Sequence, residues 1–300
     1  MTEPRHREPL PLGGDGIPYS KGLMARALTA TGVKTVQAYE LALRIEADLH
    51  ARGERTVEFD RAQELAVEVL GREVGERAID RVRRYRDLQE LDVPIVILVG
   101  GGTGTGKSTV ATEVAYRLGI TRVTSTDFIR QTMRAFFAKD FMPSIHYSSF
   151  EADAAVSQDE SDPVVRGFLD QTRNVLVGVD AALDRARQEG WSMVLEGVHI
   201  VPGMVPAELE GAIFVQCVLS IQHEAAHASH FTIRDALSDG VRPVAKYVDR
   251  LPEIRRIQDL ILERARRTDI PVIENTSLED TAGKVMELVL ASAERLERVG

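Results

Sequence analysis

The stretch Ile95-Val96-Ile97-Leu98-Val99-Gly100-Gly101-Gly102-Thr103-Gly104-Thr105-Gly106-Lys107-Ser108 passes from a β-branched and aliphatic run straight into a glycine-rich one. A continuous apolar run of this length suits a strand buried on both faces, as in a parallel sheet covered by helices. Gly101 to Ser108 fits G-x-x-x-x-G-K-[ST], the P-loop pattern. Glycines allow positive φ and close approach, so successive N–H groups can converge on an anion at the start of the next helix, where the dipole also favours negative charge. A bare glycine-rich turn binds nothing. Here a strand precedes the pattern and a helical stretch, Ser108 to Leu118, follows it, which is the context the motif requires. Gly102, Thr103, Gly104, Thr105, Gly106, Lys107, Ser108 and Thr109 are therefore the candidate ligands of ATP or GTP. Lys107 would reach the β- and γ-phosphates, and the Ser108 hydroxyl would ligate Mg2+.

Further apolar runs recur at Arg122 to Thr124, Met193 to Leu195, Ala212 to Leu219 and Pro271 to Ile273. Helical patterns separate them at Asp127 to Ala138, Asp162 to Gln188 and Arg255 to Arg267. A last helix is expected after Thr276-x-x-Glu279, which has capping-box spacing. Strands alternating with helices predict an α/β fold, a P-loop NTPase parallel-sheet sandwich. Ahead of Leu91-Asp92-Val93-Pro94 the pattern is helical from Ser20 onward, with Gly32 as a C-cap between the first two helices. The expected organisation is a mostly helical domain over 1–91 and a P-loop domain over 92–300.

Two carboxylates follow predicted strands, where open α/β sheets place ligand contacts. Asp127 could take the proton of an acceptor hydroxyl, bind metal-bound water, or cap the helix that starts at Phe128. Glu196 ends an apolar strand, Met193-Val194-Leu195-Glu196-Gly197, as a Walker B acid does, and would position Mg2+. His199 is a candidate substrate contact, although a lone histidine after a strand is more often structural. Cations cluster in two places. Arg130 and Arg134 are i,i+4 neighbours on the helix after Asp127 and point to an anionic acceptor. Arg234 and Arg242 follow the fourth strand, where a lid closes on phosphates in kinases of this architecture. His223-Glu224-Ala225-Ala226-His227 matches the zinc-protease pattern, but no third ligand is evident and the P-loop already accounts for the chemistry.

Composition narrows the partners. The chain has 300 residues, 44% of them hydrophobic, and a formal net charge of -9. An acidic surface repels nucleic-acid backbones and anionic membranes, so the expected partner is a small anionic metabolite met by local cations. Self-association into a homo-oligomer is left open. No stretch approaches the roughly 20 apolar residues of a membrane span, the N-terminus lacks an apolar leader, and the single cysteine, Cys217, lies in an apolar run. The expected compartment is cytoplasmic.

Gly101 to Ser108, Ser125-Thr126-Asp127-x-x-Arg130 and Leu195-Glu196-Gly197-Val198-His199 together resemble the 2-phosphoglycerate kinase family. The late stretch from Lys246-Tyr247 through Ile254-Arg255-x-Ile257-Gln258-Asp259 to Pro271-Val272-Ile273-Glu274-Asn275 is similar too. Pro18-Tyr19-Ser20-Lys21-Gly22 and Ala38-Tyr39-Glu40-Leu41-Ala42 look like the ATP-cone-type module that precedes the kinase domain in that family. The resemblance implies transfer of the ATP γ-phosphate to 2-phosphoglycerate, with Lys107 and Asp127 catalytic, Arg130 facing the acceptor and Arg234 a lid cation. It also implies Asn275 near the adenine. One departure is His230 before Phe231, where a cation such as Arg is usual. Other readings are a kinase for another phosphorylated or polyol acceptor, such as an inositol phosphate, and an ATP-sensing regulatory protein without catalysis.

Overall fold

A computed structural model describes Leu12 and residues 18–157, 159–237 and 244–297, with the backbone alone for 233–237 and 297. The elements run α1 (Lys21–Ala30), α2 (Thr35–Arg52), α3 (Phe59–Leu70), α4 (Arg72–Glu90), β1 (Ile95–Gly101), α5 (Lys107–Arg117), β2 (Val123–Ser125) and α6 (Thr126–Phe136). After 3-10 turns at Pro143–His146 and Ser149–Ala155 come α7 (Pro163–Glu189), β3 (Met193–Glu196), β4 (Ile213–Ser220), α8 (Glu224–Leu237) and α9 (Val244–Val248). The chain closes with α10 (Leu251–Arg267), β5 (Val272–Glu274) and α11 (Leu278–Glu297). Each expected strand is present.

Two compact units emerge. One holds the described residues of Pro94–Ala115 and Ile120–Thr281. The other holds the described residues before Pro94, Tyr116–Gly119, and the chain from Ala282. One division falls at Pro94, and the residues from Ala282 group with the helices rather than with the sheet. Ion pairs run between the helices and these late residues. Arg84 pairs with Glu294 and, at 2.9 Å, with Glu287, while Arg81 also pairs with Glu287. Small residues add to these contacts: a Cβ built on Gly32 would lie 3.4 Å from Gly283 Cα. Thr31, not Gly32, is the C-cap of α1. Gly32 follows it at φ +92°, and Val33 N reaches back to Leu28 O (3.0 Å), the bond pattern of a Schellman close. Leu12 forms a parallel bridge with Val57.

The sheet unit has five parallel strands in the order β2-β3-β1-β4-β5, with β1 central. Every residue of β1 is buried, as its unbroken apolar run requires. Val96, Leu98, Met193 and Leu195 pack with Val175, Val179 and Leu183 of α7. Val218 of β4 packs with Ile254, Ile257 and Ile261 of α10. Each such side chain contributes about 1.5–3 kcal/mol when withdrawn from water. The helix α7 is bounded by its own sequence: Asp162 accepts from Val165 N (3.0 Å), Pro163 occupies the first turn and Gly190 ends it at φ +66°. With β1 in the middle, the ends of β1, β2 and β3 bring Gly101, Ser125 and Glu196 to one edge of the sheet.

Candidate active site

The glycine-rich loop leaves β1 at Gly101 and enters α5 at Lys107. Gly101, Gly104 and Gly106 have φ of +137°, +86° and +83°, conformations that side-chain-bearing residues rarely adopt. A Cβ on Gly101 would lie 2.3 Å from Leu219 O, and one on Gly106 would lie 2.3 Å from Asn275 Nδ2. The glycines are thus fixed by crowding as well as by conformation.

Lys107 is buried and its ammonium donates to Gly102 O at 2.7 Å. Burial lowers its pKa, and the neighbouring Glu196 carboxylate opposes that shift. Ser108 Oγ donates to Glu196 Oε1 at 2.8 Å, so the first turn of α5 and the end of β3 converge on one point. Hydroxyl and carboxylate are hard oxygen donors that suit Mg2+, an ion usually held by one or two protein groups together with substrate phosphates. No cluster of three or more His, Cys, Asp or Glu suited to a metal occurs among the described residues.

Asp127 does not cap its helix. Ser125 does, accepting from Phe128 N at 3.0 Å, and α6 therefore starts at Thr126. Asp127 sits in the first turn with its Oδ1 accepting from Arg130 Nε (3.1 Å) and Nη2 (2.7 Å). Arg130 is buried, and its Nη1 donates to Ile145 O and Tyr147 O, both at 2.8 Å. The guanidinium expected to meet the acceptor is thereby largely consumed within the protein, and it orients Asp127. Arg134 is exposed and donates to Gln131 Oε1 at 2.9 Å. Arg242 and the Arg234 side chain lie outside the described residues. At α11 the cap is Ser277, whose Oγ accepts from Asp280 N (3.2 Å), one residue beyond the Thr276 that the spacing selected.

His199 is fully buried, and its role is structural. Gln171 Nε2 donates to Ser144 O (2.6 Å) and Tyr147 O (3.1 Å), which fixes the amide so that Oε1 faces His199 Nε2 at 2.9 Å. Nε2 must then carry the proton, and Nδ1 accepts from the Thr126 hydroxyl at 2.9 Å. Burial, reinforced by the Arg130 charge, pushes the imidazole pKa down to about 3. The unfolded value is about 6.5, so the unfolded chain binds the extra proton between the two values and stability falls as pH drops through that window, by about 1.4 kcal/mol per pH unit. Denaturant titrations at pH 7.5 and 5.0 check this: the loss in wild type should exceed that in His199→Gln by about 2 kcal/mol. An equal loss in both would remove His199 as its source.

Sequence reading missed four contributors, Thr126, Gln171, His227 and His230. His227 Nε2 lies 2.7 Å from Thr103 O and His230 Nδ1 3.1 Å from Gly104 O. The zinc-like motif is thus a different device, since His227 is buried against the loop while His223 is exposed. Asn275 also departs from expectation. Its Nδ2 donates to Thr105 O (2.9 Å) and its Oδ1 accepts from Thr281 (2.9 Å), which gives each end of the amide a partner within the protein. Cys217 is free and buried, and burial pushes its thiol up to about 12.

The chain is 37% identical over 281 residues to the 2-phosphoglycerate kinase of Thermococcus kodakarensis, covering 93% of this chain and 95% of that one. It is 36% identical to the 2-phosphoglycerate kinase of Methanopyrus kandleri, over 94% of this chain and 86% of the relative. The enzyme of Pyrococcus horikoshii with the same name is 36% identical, over 91% and 90%. The chain belongs to the 2-phosphoglycerate kinase family. No family model matches the chain. Among solved structures, a gluconokinase from Sinorhizobium meliloti aligns at 14% identity and TM-score 0.35 over 69% of this chain and 96% of its own. A shikimate kinase from Acinetobacter baumannii aligns at 17% and 0.36 over 66% and 94%. Such scores are too low to bear on function. For this member of the 2-phosphoglycerate kinase family, the loop, the Ser108–Glu196 pair and the Asp127–Arg130 pair form the candidate site.

Proposed function

We propose that this protein transfers the γ-phosphoryl group of ATP to the free hydroxyl of 2-phosphoglycerate, giving 2,3-bisphosphoglycerate and ADP. The observation that carries the reading is end-to-end identity of 36–37% to relatives that bear the name. The glycine-rich loop and the Ser108–Glu196 pair supply the chemistry such a reaction needs. The new bond joins the acceptor oxygen to the γ-phosphorus. The bond that breaks joins that phosphorus to the oxygen bridging to the β-phosphate.

Each residue has a distinct task. The loop N–H groups bind and orient the phosphates, and Lys107 sets a buried positive charge beside them. Ser108 and Glu196 would hold Mg2+, which when bound neutralises phosphate charge. Both Arg130 bonds fall on Asp127 Oδ1, so Oδ2 keeps its lone pairs for the acceptor hydroxyl and its proton. Arg130 is a positioning residue in this scheme. Arg134, exposed on the same helix, is the cation that would meet the acceptor's own charge, and Arg234 and Arg242 would close on the phosphates. No helix among the described residues is long and apolar enough to cross a membrane, and a cytoplasmic location fits a metabolic kinase.

The test is ADP release with Mg·ATP against 2-phosphoglycerate, 3-phosphoglycerate, glycerate and myo-inositol phosphates. Turnover on 2-phosphoglycerate supports the reading. Turnover on another acceptor alone moves the substrate, and ATP binding without turnover on any acceptor favours a nucleotide sensor. In the same assay Asp127→Asn should lower kcat by about a hundredfold or more, with ATP affinity unchanged. Unaltered kcat would dismiss Asp127 as the base.

A further inference from the structure

Four successive carbonyls of the glycine-rich loop each accept a side-chain donor. Gly102 O accepts from Lys107 Nζ (2.7 Å) and Thr105 Oγ1 (3.0 Å). Thr103 O faces His227 Nε2 at 2.7 Å, Gly104 O faces His230 Nδ1 at 3.1 Å, and Thr105 O accepts from Asn275 Nδ2 at 2.9 Å. A carbonyl oxygen can only accept, so His227 must carry its proton on Nε2 and His230 on Nδ1. In a trans peptide the C=O and the following N–H point in opposite directions. The carbonyls of Thr103 and Thr105, held by His227 and Asn275, therefore leave the N–H groups of Gly104 and Gly106 turned away from those side chains. The Thr105 N–H is set apart by a long bond to Gly102 O (3.4 Å).

Packing supports the same arrangement. Phe231, one residue past His230, is 1% exposed, and a Cβ on Gly104 would come within 2.5 Å of its ring. The Phe231 ring stacks on His227 at 5.5 Å and on Tyr247 at 5.0 Å between centroids. His227 is itself fully buried, and its Nδ1 has no hydrogen-bond partner among the described residues. A proton there would go unpaired, so the ring is held neutral with its one donor aimed at the loop.

We propose that His227 and His230, together with Asn275, are positioning residues that form a collar around the glycine-rich loop. The collar holds the loop's carbonyls outward so that its N–H groups remain turned toward the nucleotide phosphates. The proposal rests on the nucleotide-binding part of the reading above and concerns ground-state affinity rather than transfer. It gives His230, where the family pattern favours a cation, a task that its Nδ1–H performs toward Gly104 O.

The test exploits the two different ring nitrogens. The amide nitrogen of Gln falls near the place of a histidine Nε2, and that of Asn near Nδ1. Calorimetric titration with Mg·ATP should show His227→Ala and His230→Ala each weakening the dissociation constant by about tenfold. His227→Gln and His230→Asn should stay within about twofold of wild type, while His227→Asn and His230→Gln should behave like the alanine variants. In turnover, the matching loss should fall on KM for ATP, with kcat and the acceptor KM nearly constant. If matched and mismatched amides bind alike, or the loss falls on kcat, the collar is wrong. The amide contrast compares folded variants with one another, so it stands where an alanine variant fails to fold. A wild type that binds Mg·ATP without turnover overturns the kinase reading and leaves the collar to the titration. A wild type that does not bind Mg·ATP overturns both.

Discussion

Lys107→Ala should lower kcat by about a thousandfold, the scale expected when a preorganised charge at a water-excluded reacting centre is removed. The side chain is buried, and among the described residues the loop's own Gly102 carbonyl and the neighbouring Glu196 offset its desolvation. That arrangement gives the substitution a second signature. Without nucleotide, removal of a buried ammonium leaves thermal stability unchanged or higher, because a charge shifted downward by burial is a burden on the folded state. With saturating Mg·ATP the variant should gain much less in Tm than wild type does. Arg at this position should not restore activity, since a planar fork cannot replace a point charge in so narrow a site. A Lys107→Ala protein with near-normal kcat would remove the loop from the chemistry altogether.

Gly197→Ala should be the most damaging single-methyl change outside the loop. Gly197 has φ +151°, and an added Cβ would lie 1.9 Å from Thr126 Oγ1 and 2.8 Å from Thr126 Cβ. Thr126 cannot swing away freely, because its hydroxyl donates to His199, which is fixed in turn by Gln171. Nor can the backbone at Gly197, whose N–H donates to Val99 O at 3.0 Å. A clash with no exit costs about 3 kcal/mol or more in a packed interior. The residue before it is Glu196, so whatever folded protein remains should also bind Mg·ATP less well. Thermal unfolding of Gly197→Ala and of Gly197→Ala/Thr126→Ala tests the account. Partial recovery in the double variant is expected, and no recovery would show that backbone strain alone sets the loss.

What the sequence made legible is what local chemistry dictates. The run Ile95 to Val99 has no polar position to expose, so it could only be a buried strand, and Gly101, Gly104 and Gly106 do take the positive φ that the motif demands. Glu196 was recognisable because it ends an apolar strand, and Ser108 meets it. Roles set by tertiary partners were not legible. Arg130 reads as a substrate cation until Ile145 O and Tyr147 O are seen to occupy it. Asn275 reads as a base contact until Thr105 and Thr281 claim both ends of its amide. Spacing along α8 puts His227 and His230 on one helical face, but nothing in that spacing names a loop more than a hundred positions earlier. At two helix starts a nearby serine takes the cap, Ser125 two residues before Asp127 and Ser277 one residue after Thr276, a choice that spacing alone does not make.

The return of the chain to its first compact unit bears on how the protein is made. Arg81 and Arg84 are translated early, whereas Glu287 and Glu294 emerge last. During synthesis the leading helices emerge before the carboxylates that Arg81 and Arg84 pair with, and until then Arg81 has Thr31 O as a partner. A fragment ending near residue 93 lacks the carboxylates that pair with Arg81 and Arg84, and a permuted chain beginning at Ala282 and joined onward to the present start would carry that unit, apart from Tyr116–Gly119, as one run.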